Sequence, residues 1–225
     1  MAATSPHRPL NGIEPKRRAA DVAYDAIEAL ISTLQLAPGK PIVEAEIAEH
    51  TGLGRTPVRE ALLRMVSIGL IEQQPRRGLI VSNIDLGDHL DVLNTRRALE
   101  VLIAGCSARR ANGAQRKEIV HCAEKMVKAA SRDDLAGYMK ADHDLDQVNH
   151  AASQNRAAVN GVLPLIVKCR RFWYAYRDDG DIGEGANAHM KLAEGIATGD
   201  ERKAVAGANQ LMAYLESFAR RVIDN

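Results

Sequence analysis

The feature that most restricts the fold is the repeated helical pattern that the chain shows after Asp85. Apolar residues recur there at steps of three and four, and few runs alternate as strands do. Only 4% of the residues are aromatic, so alanine, leucine, isoleucine and valine must build most of the core. An all-α antiparallel bundle is therefore predicted for residues 84–225. Its predicted helices cover residues 86–111, 114–130, 134–152, 156–177, 185–198 and 201–223.

The chain before Asp85 predicts a different, smaller unit. A helix near 20–36 is followed by a short helix near 43–50, the glycine turn TGLG and a third helix near 55–68. The runs LIEQQ and GLIVS around PRRG then indicate a two-stranded hairpin. This order is that of a winged helix-turn-helix, predicted for residues 19–83 after a flexible, basic segment 1–18. The whole chain is thus expected to be mainly α.

Arginines are concentrated where such a unit would meet DNA. The second helix of a helix-turn-helix enters the major groove by its N-terminal end. Arg55, Thr56 and Arg59 lie near that end, and the opposite side is needed for the core. An arginine fork can bond O6 and N7 of guanine together, and Thr56 can donate to a phosphate. Arg76 and Arg77 occupy the predicted hairpin tip, although the net charge of the chain is only +1. The alternative is that these arginines only solvate an exposed face.

Two sets of motifs carry a resemblance to a known family. TGLGRTPVREALLRMVSIGLIEQQPRRGLIVS resembles the DNA-binding domain of GntR-type bacterial transcription regulators. TRRALE, ASQN and the later H…AEGIATGD resemble the FadR-like subgroup, with its all-α FCD ligand domain. The resemblance implies a homodimer that binds a short palindromic operator in double-stranded DNA and releases it when a small organic acid binds.

The family's DNA-contacting positions can be transferred to this chain residue by residue. Two departures weaken the match, because Ala45 stands where many relatives have arginine and Gly54 replaces a frequent serine or threonine. The residues implied to contact DNA, together with their neighbours on the same helix, are Arg55, Thr56, Pro57, Arg59, Arg64, Arg76 and Arg77.

The FCD resemblance also implies a metal site, and this sequence departs from it. FCD domains commonly hold a divalent metal through an Asp-x3-His pair and two later histidines. Here Asp142 and His189 match, but Asp146 replaces the first histidine and Leu211 the last. We expect polar residues that line a pocket without a required cofactor, with a weakly bound divalent metal on Asp142, Asp146 and His189 as the alternative. A shifted alignment would instead pair Asp146 with His150.

The effector pocket is predicted from helix stripes. Arg97 follows Leu90 and Leu93 on an apolar stripe, so it should point inward and need an acidic partner or an anionic ligand. Asp142 or Asp146 would be that partner. An aromatic cluster in CRRFWYAYR indicates a pocket wall, or else core or dimer interface. The candidate ligand-binding residues are Arg96, Arg97, Asp142, Asp146, Arg171, Trp173, Tyr176 and His189.

The function that these features favour is a ligand-responsive transcription regulator, expected to be a cytoplasmic repressor. Three widely spaced cysteines indicate reduced thiols, and neither a signal peptide nor a membrane span is expected. One alternative is an all-α metal-dependent enzyme with a nucleic-acid-binding module, but no HExxH or Ser/His/Asp set supports it. The other alternative is an adaptor whose winged helix binds protein.

Overall fold

The N-terminal part has the predicted order of helices and strands. The computed structural model describes residues 17–225, apart from the side chain of Asp179, so most of the predicted flexible segment 1–18 lies outside the described residues. Helices α1 (Ala19–Ser32), α2 (Glu44–Thr51) and α3 (Arg55–Ser67) are followed by the hairpin strands β2 (Ile71–Gln74) and β3 (Gly78–Val81). The sequence did not indicate β1 (Pro41–Ile42), a two-residue strand that pairs antiparallel with β3.

Local chemistry explains where these elements end. Gly52 ends α2 in the left-handed region (φ 67°), where glycine has no Cβ to clash. Leu34 also has a positive φ of 58°, which ends the first helix before the predicted residue 36. Arg76 sits in the same region (φ 64°) at the hairpin tip, after Pro75. That conformation is uncommon for a residue with a side chain, and it lies in the turn that Arg77 closes by donating to the Gln74 carbonyl oxygen at 3.2 Å.

The C-terminal part is a bundle of the predicted long helices. They are α4 (Leu86–Arg110), α5 (Gly113–Ala130), α6 (Leu135–Ser153), α7 (Arg156–Ala175), α8 (Ile182–Thr198) and α9 (Glu201–Asp224), with a 3₁₀ turn at Arg177–Asp179. An aspartate or asparagine caps the first turn of every one of them by accepting backbone N–H groups. These caps begin the helices close to the predicted positions, and only α8 begins several residues early.

Helix α7 contacts both parts of the chain. Its Val167 packs into the N-terminal apolar cluster with α1 residues such as Ile27 and Ile31. Its buried Arg171 donates to the backbone oxygens of Ser82 (2.8 Å) and Asn83 (3.1 Å), in the segment that joins the wing to the bundle. The division into units at residues 83 and 84 therefore stays a prediction, because α7 contributes to both cores.

Helices α8 and α9 approach each other closely at two glycines. A Cβ at Gly207 would lie 2.6 Å from the Leu192 Cα atom, and one at Gly195 would lie 2.7 Å from the Ala204 nitrogen. Backbone cannot yield as a flexible side chain can. The glycines thus fix the spacing of the helix pair that carries His189 and Tyr214.

We expect Gly207→Ala to lower the free energy of unfolding by about 1–3 kcal/mol, because the added methyl group overpacks two backbones. Gly113→Ala is the control, since nothing lies within 4 Å of its Cβ position. It should change the free energy of unfolding by no more than about 0.5 kcal/mol. Urea unfolding followed by circular dichroism measures both, and equal effects of the two substitutions would refute the close-approach explanation.

Candidate nucleic-acid interface and buried polar cluster

Helix α3 has one buried side and one exposed side, as predicted. Val58, Ala61, Leu62 and Met65 are fully buried against the N-terminal core, whereas Arg55 and Thr56 are exposed at the first turn. Pro57 is half-buried in that turn, where a missing N–H breaks no helical hydrogen bond. The N-terminal end of α3 therefore presents polar groups and free backbone donors to the outside.

Arg59 is exposed but already paired. Its Nε atom lies 3.0–3.1 Å from both carboxylate oxygens of Glu44, and its Nη2 atom donates to Oε2 at 2.7 Å. The hydrogen bond from Arg59 lowers the pKa of Glu44. Since Glu44 begins α2, the pair holds the fork between the two helices, and a guanine would have to compete with Glu44 for it.

The other arginines separate into two groups. Arg76 and Arg77 are exposed on the hairpin tip, where they were predicted. Arg64 instead contacts α1, with Nη1 2.8 Å from Asp21 and the guanidinium 4.4 Å from the centre of the Tyr24 ring. In this position it joins α3 to α1, and its contact with DNA stays a prediction.

A buried group of charged residues lies where α6, α7 and α8 meet. We call Arg170, Glu28, Asp142, Asp146 and His189 the Arg170 cluster. Arg170 donates from Nε to Asp142 at 2.5 Å, from Nη2 to Asp146 at 2.6 Å and from Nη1 to Glu28 of α1 at 2.9 Å. His189 places Nε2 3.1 Å from the other oxygen of Asp142 and Nδ1 2.8 Å from the Gly185 carbonyl oxygen.

The pKa shifts in the cluster follow from these contacts. Burial alone would raise the pKa of Asp142, but the Arg170 charge and the His189 hydrogen bond outweigh it, so the pKa is lowered. Burial likewise works against a charged His189, yet its hydrogen bond to Asp142 raises the pKa of the imidazole. The pKa of Glu28 is raised because burial outweighs the attraction of Arg170.

The structure corrects the predicted partner of the aspartates. Arg97 was expected to face Asp142 or Asp146, but it is half-buried and donates to Glu216 of α9 at 2.8 Å. It does not line the cavity beside the aspartates. Arg96 is the inward residue and pairs with Glu100 one turn along α4 at 2.9 Å. The wrong choice between Arg96 and Arg97 comes from the helical register. The two residues are neighbours in sequence, so a shift of the α4 pattern by one residue exchanges the stripe that faces inward.

The aromatic wall is partly as predicted. Trp173 is buried, and its Nε1 atom donates to the hydroxyl oxygen of Tyr214 at 2.9 Å. Tyr138 stacks on Trp173, with ring centres 5.4 Å apart. Tyr176 is half-buried and packs on Phe172. Tyr138 and Tyr214 could not be identified as site residues from the sequence, because a single tyrosine in an apolar stripe resembles an ordinary core residue.

A cavity of about 40 Å³ connects these groups. It is lined by Arg96, Tyr138, Asp142, Arg170, Trp173 and His189, among others. Arg171 was predicted at this site but donates to the inter-unit segment instead, and Asp146 reaches the cluster through Arg170. The space is enough for water-sized molecules, so any larger ligand must widen it.

Comparison with known proteins decides the family. The model of bacterial regulatory proteins of the gntR family matches residues 19–81, and that of the FCD domain matches residues 91–214. The chain belongs to the FCD-containing gntR family. It is a DNA-binding transcription regulator, so the predicted family, winged helix-turn-helix and helical FCD fold are confirmed. The enzyme alternative is not favoured.

The relatives of this gntR-family regulator are themselves regulators. An uncharacterized HTH-type transcriptional regulator of Agrobacterium vitis is 35% identical over 53% of the chain and 72% of its own length. A probable D-xylose utilization operon transcriptional repressor of Paenarthrobacter nicotinovorans is 26% identical over 87% of the chain and 86% of its length. The fold is similar to that of Escherichia coli McbR/YncC, with a TM-score of 0.78, 17% identity and coverage of 92% and 99%.

The metal that FCD domains commonly hold does not fit the residues of this gntR-family regulator. A divalent ion between Asp142 and Asp146 would need the oxygens that Arg170 occupies, and the guanidinium already supplies a positive charge there. His189 directs Nε2 at Asp142, and Leu211 offers no ligand atom. Among residues 17–225, no three His, Cys, Asp or Glu side chains are arranged to hold an ion.

We expect Tyr214→Phe to lower the free energy of unfolding of the regulator by about 1–3 kcal/mol. The substitution removes the acceptor of the buried Trp173 indole and a donor to the Asp181 carbonyl oxygen. Tyr174→Phe, at a half-buried tyrosine on the same helix as Trp173, is the matched control. Denaturant unfolding with tryptophan fluorescence measures both variants. An unchanged midpoint for Tyr214→Phe would contradict the inferred hydrogen bond.

Proposed function

We propose that this regulator is a dimeric repressor that binds a palindromic operator and leaves it when a small organic acid enters the helical domain. The observation that carries the DNA half is the exposed first turn of α3, with Arg55 and Thr56 beside free backbone donors. Five arginines and two glutamates lie between Arg55 and Arg77 in a nearly neutral chain. Arg59 and Arg64 are paired with Glu44 and Asp21, so the positive charge of this surface comes mainly from Arg55, Arg76 and Arg77. The relative from Paenarthrobacter nicotinovorans is a probable transcriptional repressor, which supports the same sign of regulation here.

The proposed division of labour is that Arg55 and Arg59 read bases whereas Arg76 and Arg77 position the wing. Arg59 reaches a base by exchanging Glu44 for the acceptor edge of a guanine. The exchange keeps the fork paired throughout, so little of the hydrogen-bond energy is lost. Thr56, the N–H groups of the first turn and the wing arginines bind phosphates and set the register.

We expect Arg59→Ala to weaken binding to the operator by about 1–3 kcal/mol and to relax its specificity. Arg76→Ala should weaken binding to all DNA and make the salt dependence less steep, because it removes a phosphate contact. Fluorescence anisotropy with an operator from the promoter beside the regulator's own gene and with random DNA, at several salt concentrations, gives both quantities. Equal losses on operator and random DNA for Arg59→Ala would eliminate its base-reading role.

Dimerisation is proposed through the apolar face shared by α4 and α7. Leu102 is 47% exposed there, one turn after the half-buried Leu99, and Val159 and Leu163 of α7 are half-buried. Beneath them Ile103 and Val162 form a separate small cluster. A two-fold operator needs two recognition helices related by a two-fold axis, so a second copy of this chain is the partner proposed.

We expect Leu102→Glu to give a monomeric mass in light scattering at micromolar concentration, where the unaltered protein should give a dimer. A charge on this face would have to be buried without a partner. Ile223→Glu, at a 36% exposed residue near the end of α9, is the control and should stay dimeric. If the Leu102→Glu protein remains dimeric, the dimer interface does not lie on this face of α4 and α7.

The effector is proposed to bind in the cavity beside the Arg170 cluster. Its carboxylate would compete with Asp142 and Asp146 for Arg170, which predicts modest affinity. The expected location is the cytoplasm, because a bacterial transcription regulator meets its DNA there. None of the helices between residues 17 and 225 is long and apolar enough to cross a membrane. A thermal-shift screen of small mono- and dicarboxylates, followed by gel shifts with each stabilising compound, tests the effector. The proposal of an acid effector would be refuted if none of the carboxylates stabilised the protein, or if none of them released the DNA.

A further inference from the structure

Arg170 uses all the directions of its fork on carboxylates. Asp142 and Asp146 lie on α6 of the bundle, and Glu28 lies on α1 of the DNA-binding part. The Arg170 side chain is only 10% exposed, and the three carboxylate side chains are between 8% and 13% exposed. One guanidinium thus donates hydrogen bonds to three acids that come from two parts of the chain.

A cation is required at this position. Two aspartates one turn apart on α6 face the same buried space, and two unpaired carboxylates would repel each other at a high desolvation cost. The planar fork of arginine presents donors in several fixed directions, so it can bond each acid separately. A lysine ammonium would supply the charge without that fixed geometry.

Glu28 connects this cation to the recognition helix. It lies on the side of α1 that faces Arg170, and His143 of α6 is 3.9 Å away. Other residues of the same helix hold α3: Asp21 pairs with Arg64, and Tyr24 stacks under it. Helix α1 therefore lies between the Arg170 cluster and the helix that presents Arg55 and Arg59.

The contact between α1 and the bundle leaves room for movement beside Glu28. A cleft of about 520 Å³ lies between α1 and α6 there, with Ala29, Met139 and His143 in its lining, and Arg170 lines both this cleft and the small cavity. The buried hydroxyl of Ser32, which also lines this cleft, has no hydrogen-bond partner among the described residues. The ion pair thus lies between the packed contact of α1 with Val167 of α7 and an open cleft between α1 and α6.

We propose that Arg170 is the resident cation of this site in place of a divalent metal, and that it transmits the state of the site to α1 through Glu28. The consequence for DNA rests on the proposed function. The exclusion of metal and the tie to α1 are properties of the protein alone. Toward DNA, Arg170 acts through α1, because its guanidinium bonds go to Asp142, Asp146 and Glu28, and none of these residues lies on the recognition helix.

The first experiment tests the resident cation with zinc alone. Each full-length protein is stripped with chelator, supplied with one equivalent of zinc, dialysed and analysed for metal. The unaltered protein should retain much less than one equivalent. Arg170→Ala should retain close to one, because Asp142, Asp146 and His189 can then turn toward a shared ion, an arrangement that the bonds to Arg170 prevent in the unaltered protein. Adding Asp142→Asn to Arg170→Ala should abolish the gain.

Two results would overturn this half of the proposal. One is a full equivalent of zinc on the unaltered protein, which requires no variant to fold. The other is an Arg170→Ala protein that keeps the unaltered circular dichroism spectrum and gains no zinc.

The second experiment tests transmission by hydrogen exchange of the α1 amides, Ala19–Ser32. Asp142→Asn removes one anchor of Arg170 on the bundle side and should speed exchange in α1 at least threefold. Glu28→Gln breaks the tie, so adding Asp142→Asn to it should change α1 no further. Glu100→Gln is the matched control, because it breaks the other buried ion pair of the bundle, Arg96 with Glu100, without touching α1.

The same variants are then tested for operator affinity. Asp142→Asn should change the dissociation constant at least threefold on its own and less than 1.5-fold in the presence of Glu28→Gln. Equal effects with and without Glu28→Gln, or an α1 response to Glu100→Gln as large as that to Asp142→Asn, would overturn the transmission. If the unaltered protein binds no operator, the proposed function fails, and hydrogen exchange still decides whether α1 is tied to the cluster.

Discussion

The structure depends most on the ion network around Arg170, because it fixes four helices relative to one another. Burying this many charges is favourable only when each is paired and hydrogen-bonded with good geometry. Both carboxylate oxygens of Asp142 are paired, one with Arg170 and the other with His189. Helices α6, α7 and α8 must therefore meet at one point. Glu28 adds α1 to that point. A buried acid without its cation is energetically costly, and this cost keeps the Arg170 network and its four helices in place.

One stripe of α7 carries the contacts between the two parts of the chain. Val167, Arg170 and Arg171 are spaced at i, i+3 and i+4, so they lie on one face of the helix. Val167 enters the N-terminal apolar core, Arg170 reaches Glu28, and Arg171 holds the inter-unit segment. Three different kinds of interaction, namely apolar burial, charge pairing and backbone capture, therefore act on a single face. A movement of α7 would therefore disturb all three interactions at once.

The helices and the hairpin could be predicted from sequence because their causes are local. Apolar spacing, the glycine turns, and the aspartates and asparagines that cap the bundle helices are all readable within a few residues. Burial of Ala61, Leu62 and Met65 followed from the same spacing. The two-residue strand β1 could not be predicted, since its only reason for existing is the distant partner β3.

The partners within the sites could not be predicted, because partner choice is a tertiary property. Arg97 was expected to meet the aspartates, yet it pairs with Glu216, 119 residues away, while Arg170 bonds Glu28 across 142 residues. The sequence offers several arginines as partners for Asp142 and Asp146, and the apolar spacing of α4 alone does not show which of them is the partner. The stripe through Val167, Arg170 and Arg171 was a usable signal, since charges that continue an apolar face need buried acids. The predicted site residues Asp142, Asp146 and His189 do lie together, but around an arginine.

The proposed function would tie effector binding to this network. The cavity of about 40 Å³ is too small for an organic acid, so the proposed effector would have to widen it beside Arg170, which bonds Glu28. A ligand shifts a two-state equilibrium only by its differential affinity for the two states, and couplings of about 1–3 kcal/mol are typical. Breaking a buried ion pair outright costs about 3–5 kcal/mol, which is more than such a coupling needs. In the proposed function, a carboxylate that replaces one aspartate on the fork would keep Arg170 paired and would shift its contact with Glu28. Rearrangement of one bond among three would then be sufficient to alter the hold on α1, without complete release of the network.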